Sequence, residues 1–91
     1  MAKDRRYTTV KNLIAGGYIK TFREIFDTIP KSVVARDLGM HNIRFTKLIN
    51  NVDKFILKDL ILMAALIETD EAILLQLVYQ QYVIDMNNKK K

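Results

Sequence analysis

The sequence predicts an all-α fold, a compact bundle of about five short helices. Three observations lead there. Apolar residues recur at the three-and-four spacing of one helix face in successive segments, as in Phe22, Ile25, Phe26 and Ile29, or Phe45, Leu48, Ile49 and Val52. The breaks between those segments hold residues that stop or start helices, Gly16-Gly17, Pro30 and Gly39. Polar residues able to cap a helix stand before the apolar runs, most clearly Thr21 with Glu24.

Ninety-one residues make one domain. A chain of this size hides about 60 to 65% of its extended surface, enough for a single core. Hydrophobic residues at 49% with charged residues at 27% describe a folded chain rather than a disordered one. There is no cysteine, which excludes disulfides and thiolate metal sites.

Residues 1–8 are polar, with Arg5 and Arg6 adjacent, and are expected to form a flexible N-terminal arm, the domain itself running over 9–86. The first helix is expected to start at a cap on Thr8 or Thr9, to include Leu13 and Ile14, and to end at Gly16-Gly17, a pair that would cost about 2 kcal/mol inside a helix. No strand precedes these glycines, so they are not a phosphate-binding loop. Thr21-x-x-Glu24 is a capping box, and the second helix follows it with Ile19, Phe22, Ile25, Phe26 and Ile29 on its apolar side. Pro30 separates that helix from the next and orients Lys31 and Ser32.

Residues 31–51 read as two short helices meeting at a tight turn. Val34, Ala35 and Leu38 share a side of the first, Gly39 supplies the left-handed backbone of the turn, and Met40 plugs it. His41 or Asn42 caps the second, whose buried stripe is Phe45, Leu48, Ile49 and Val52. At 100° per residue, Ile43, Lys47 and Asn50 fall opposite that stripe, with Arg44, Thr46 and Asn51 on its flanks. Ala35, Gly39, Met40, Phe45 and Leu48 at this spacing resemble the helix-turn-helix of the Cro and lambda-repressor class. The resemblance extends over about residues 19–80, with LINN at 48–51 and LKDLILMAALIETD at 57–70 at matching offsets. The sequence departs from the family pattern at Phe45, Ile49 and Asn51, where a smaller aliphatic, Glu and Gly are usual.

The resemblance implies a lambda-repressor-like bundle whose second motif helix enters the major groove of double-stranded DNA. The residues placed to reach base edges are then His41, Asn42, Ile43, Arg44, Thr46, Lys47 and Asn50, and those placed for phosphate are Lys31, Ser32, Asn51 and Lys54. Arg44 and Lys47 match guanine, Asn42 and Asn50 match adenine, and Ile43 matches a thymine methyl. No acidic residue lies between Leu38 and Val52. Residues 1–58 carry twelve Lys or Arg against five Asp or Glu, whereas residues 59–88 carry five acids and no base, so the motif sits in the basic half.

His41 is the only histidine, so no histidine metal cluster or histidine-based triad can be assembled, and neither a metal, a cofactor nor an enzyme activity is expected. Glu68, Asp70, Glu71 and Asp85 read as first-turn charges, with Asp70 capping the last helix and Glu71 favourable to its dipole. From Leu60 to Ile84, eighteen of twenty-five residues are apolar, more than one core face needs. Leu57, Leu60, Ile61, Ala64 and Ile67 are assigned to the core, and the last helix adds Leu74, Leu77, Val78, Tyr82 and Val83. The surplus suggests a dimer or partner surface on Leu62, Leu66, Leu74, Val78 and Tyr82, unless residues 9–29 cover it. Residues 87–91 are expected to be a flexible basic tail.

The expected function is sequence-specific binding of double-stranded DNA by a transcriptional regulator acting as a homodimer. The alternative is a protein-interaction module, such as an antitoxin-like protein that keeps the fold and holds a protein partner. The opening MAKDRRYTTVK is too polar for a signal peptide, and the longest apolar run, Leu60 to Ile67, is far short of a membrane span. A cytoplasmic, membrane-free location is the expectation.

Overall fold

The computed structural model describes residues 4–89. Among them are five α-helices: α1 (Arg6–Ala15), α2 (Lys31–Leu38), α3 (Asn42–Asn50), α4 (Leu57–Ile67) and α5 (Glu71–Lys89), and no strand. Short 3-10 helices at Phe22–Asp27 and Val52–Lys54 complete the element order. The all-α expectation therefore holds, although α5 at 19 residues is not short.

α1 starts earlier than the sequence suggested. The Asp4 carboxylate accepts the backbone N–H of Arg6 at 2.9 Å and grips its guanidinium at 2.9 and 2.7 Å, so Asp4 rather than Thr8 or Thr9 organises the first turn. Tyr7 and Val10 are buried, and the Tyr7 hydroxyl donates to Asp37 Oδ2 at 2.7 Å, which ties α1 to α2. The expected flexible arm is thus helical from Arg6, and its residues 1–3 lie outside the described part. α1 ends at the glycine pair, where Gly17 adopts φ +78°.

Glu24 closes the next segment as its spacing predicted: its carboxylate accepts the N–H of Thr21 at 2.8 Å, that of Lys20 at 2.9 Å and the Thr21 hydroxyl at 3.0 Å. The helix it starts is a six-residue 3-10 helix, since Pro30 leaves too little chain for α-helical turns to accumulate. Pro30 occupies the N-cap of α2. α2 stops at Gly39, whose φ of +70° lets Met40 N–H return to Ala35 O at 2.8 Å and Gly39 N–H to Arg36 O at 3.0 Å. α3 follows after Met40 and His41.

Four phenylalanines bind these pieces together. Phe22, Phe26, Phe45 and Phe55 meet edge-on, with ring centroids 5.3 to 6.0 Å apart. α2 packs on α3, α1 and α2 pack on α4, and α5 closes the bundle over the 3-10 segments and α4.

The C-terminal helices turn differently from the sequence expectation. α4 buries Leu60, Met63, Ala64 and Ile67, while Leu57 and Ile61, both assigned to the core, are 58% and 38% exposed. Asp70 caps α5 as expected, accepting Ala72 N–H at 2.8 Å. On α5 the inward face is Leu74, Leu77 and Gln81. Leu74 is therefore core and not a partner surface, and Val78 and Leu66 pack against the core as half-buried residues; Leu62 and Tyr82 remain exposed. The reason is a polar clasp. Asp85 takes both terminal nitrogens of Arg23 at 2.7 Å, Gln81 Nε2 donates to Asp85 at 3.2 Å, and Gln81 Oε1 accepts Arg23 N–H at 3.1 Å. Asp85 is an ion-pair partner within the fold and Glu68 is the left-handed C-cap of α4, so neither is a first-turn charge. The expected tail is also corrected, because α5 continues through residues 87–89; Lys90 and Lys91 lie outside the described part. Among the described residues no helix is long and apolar enough to cross a membrane.

Candidate nucleic-acid interface

α3 is held from below and open above. Phe45 and Ile49 sink into the core, and the aromatic contacts of Phe45 with Phe26 and Phe55 fix the rotation of the helix about its axis. The opposite side then presents Asn42, Ile43, Arg44, Lys47 and Asn50, all exposed, with Ile43 at 68%. Among the described residues the side chains of Asn42, Arg44, Lys47 and Asn50 make no hydrogen bond or ion pair within the chain. An exposed isoleucine amid long polar donors has little to gain from water, and nothing in the fold covers it.

The remaining expected residues are placed less simply. Thr46 is half-buried, and its hydroxyl donates to Asn42 O at 2.9 Å, so only its oxygen lone pairs and methyl face outward. Asn51 Nδ2 donates to Lys47 O at 3.0 Å, which satisfies a carbonyl of the last turn and leaves one amide hydrogen for another acceptor. His41 stands at the N-cap of α3 with extended backbone and makes no side-chain cap bond. Lys54 is exposed in the 3-10 turn after α3.

Lys31, Ser32 and Asn42 come together. They line one open cleft of about 540 Å³, shared with Arg23, Phe26, Pro30 and Ile49, because the starts of α2 and α3 lie side by side. A neighbouring depression of about 440 Å³ runs past Ser32, Arg36 and His41. The first turns of both helices lack an acidic residue, so their unpaired N–H groups and positive dipole ends are not neutralised from within. Such a face attracts oxyanions.

Two arginines join this region that the sequence reading did not assign. Arg36 is one helical turn after Ser32 on α2, with its side chain 71% exposed and only a 3.3 Å contact to the neighbouring Asp37. Its i, i+4 relation to Ser32 was a legible signal. Arg23 had none: it reaches the site because its Nε donates to Ile49 O at 3.1 Å while its other nitrogens hold Asp85. Burial opposes ionisation of Asp85, but the hydrogen bonds from Arg23 and Gln81 outweigh it and hold the carboxyl below its ordinary value. Arg23 thereby fastens the last turn of α3 to α5. Comparison with known family models, curated proteins and solved structures yields no match, so the likeness to the Cro and lambda-repressor class rests on this chain's own residues.

Proposed function

We propose that the protein binds double-stranded DNA sequence-selectively, as a transcriptional regulator, by laying the outward side of α3 in the major groove. The observation that carries this reading is the acid-free flank of exposed Asn42, Ile43, Arg44, Lys47 and Asn50 on a helix anchored by Phe45. Lys31, Ser32, Arg36 and Lys54 surround it and suit the phosphates, with His41, Thr46 and Asn51 at the margins. One module of this size covers about 600 to 1,000 Å² of DNA, so a dimer on half-sites about 34 to 36 Å apart is the working arrangement.

Selection from a random duplex pool at about 0.15 M salt tests the class, because nonspecific attraction is weak there. An enriched two-fold site is expected. On that site Lys47→Ala costs about 1 to 3 kcal/mol and relaxes the preference at one position, whereas Lys31→Ala weakens all duplexes alike and flattens the salt dependence. Equal binding of the enriched and random duplexes by the parent and both variants overturns the reading.

The exposed Leu57, Ile61 and Leu62 of α4 support a second reading, a module that holds a protein partner through that helix. Loss of a co-purifying chain on Leu62→Glu, with DNA selection unchanged, would favour it as an added role.

A further inference from the structure

The geometry points to a small-molecule site in the cleft between the starts of α2 and α3, one that takes an aromatic carboxylate. At about 540 Å³ the cleft falls within the roughly 300 to 1,000 Å³ in which proteins hold small organic molecules. Its residues divide by burial. Ile49 is buried and Phe26 half-buried, and they form the floor; Pro30, Lys31, Ser32 and Asn42 are exposed and form the rim. Arg23, half-buried, stands between the two.

Floor and rim ask for different chemistry. Phe26 packs edge-on against Phe22 and Phe45, at 5.4 and 5.7 Å, and together with Ile49 and Pro30 it offers an occupant only carbon. A flat ring gains from such walls what water cannot. A DNA phosphate gains nothing from them and is served by the rim alone. At the rim the charge has one sign, since no Asp or Glu lines the cleft. The charge of Arg23 is matched by Asp85, although only three of its five N–H groups are engaged among the described residues, with Ile49 O and the Asp85 carboxylate. Lys31 has no such counter-ion: among the described residues its side chain, like those of Ser32 and Asn42, makes no hydrogen bond or ion pair. Lys31 is therefore the cation, and Ser32 and Asn42 the neutral donors, for a carboxylate carried on a ring seated against Phe26 and Ile49. A neutral ring leaves Lys31 unused, a bare anion leaves the floor wet, and an amine meets like charge. Under the proposed function Lys31 and Ser32 meet phosphate and Asn42 a base, so an occupied cleft and a bound duplex compete for the same side chains, each weakening the other by the same factor. That competition rests on the DNA reading; the site itself does not.

The probe is sodium benzoate, titrated to about 20 mM into the isotope-labelled full chain at constant ionic strength and followed by amide NMR. Shifts at Arg23, Phe26, Lys31, Ser32, Asn42 and Ile49 should saturate with one dissociation constant of about 1 mM, ordinary for a ligand of this size. Acetate, which lacks the ring, and benzyl alcohol, which lacks the charge, should each bind at least about tenfold more weakly. Lys31→Glu should abolish saturation, whereas Lys58→Glu, the same charge change on the exposed side of α4, should leave it intact, both retaining the far-UV circular dichroism of the parent. On a selected duplex, benzoate at about ten times its dissociation constant should weaken binding about tenfold. Shifts that do not saturate, acetate or benzyl alcohol as effective as benzoate, or a Lys31→Glu protein that binds no worse than Lys58→Glu overturns the site. A duplex affinity that bound benzoate leaves unchanged overturns the competition. Saturable benzoate binding by a chain that selects no duplex sinks the DNA reading and leaves the cleft standing; a selected duplex without benzoate binding does the reverse.

Discussion

Arg23 carries more of this molecule than its position in the sequence advertises. Its backbone N–H, its Nε and both terminal nitrogens each have a partner, on Gln81, Ile49 and Asp85. The pair is half-sheltered, with side-chain exposures of 34% and 19%. Removing one partner from a fully buried pair costs about 3 to 5 kcal/mol. Solvent at Arg23 reduces that, and Asp85→Asn is expected to lower unfolding stability by about 2 kcal/mol at neutral pH. Its pH dependence has a definite sign. The Asp85 carboxyl is lowered in the fold from an ordinary 3.8, so its stabilisation is present above that value and is lost as pH falls through the lowered one. Urea unfolding between about pH 5 and 2 should therefore show a steeper loss in the parent than in Asp85→Asn. Parallel curves would mean that Arg23 adds nothing through this carboxylate. Gly39 is the residue whose role the sequence displayed openly, since a φ of +70° at the end of α2 is conformational space that side chains avoid.

At the scale of the element, α3 works because one face is committed and the other is not. Phe45 is fully buried and touches Phe26 and Phe55 edge-on, so the helix cannot roll without breaking aromatic contacts. Phe45→Ala should cost about 3 to 5 kcal/mol by the cavity it leaves. Phe45→Leu should cost less, but it frees the rotation of α3, and under the proposed function it loosens base preference more than it lowers affinity. Thermal unfolding and a selected-site competition, measured on the same variant, separate the two effects. An unchanged base preference in a Phe45→Leu protein that melts lower would remove the ring cluster from the recognition argument. α4 and α5 teach the opposite lesson. Apolar residues surround both helices, so no stripe stands out in the sequence, and the faces they bury were settled by Met63 and by the Gln81–Asp85 clasp.

At the scale of the whole molecule, charge is divided along the chain. The first 58 residues are strongly basic and residues 59–88 are acidic. Lys31, Arg36, Arg44, Lys47 and Lys54 are exposed on or beside the α2–α3 face. If these five meet phosphates, the logarithm of the affinity for random duplex should fall with the logarithm of salt at a slope of about −4.5 per chain, as fluorescence anisotropy can measure. A slope near −1 would place DNA, if anywhere, on another surface. The number of helices, the breaks at Gly16-Gly17, Pro30 and Gly39, and the exposed flank of α3 were determined by sequence alone, because each depends on backbone preference or on a periodic pattern within ten residues. The inward turn of Leu74 and the outward turn of Leu57 and Ile61 were decided only by tertiary structure. They depend on a partner 62 residues away, Arg23 with Asp85, and on which of several apolar faces finds the core first occupied.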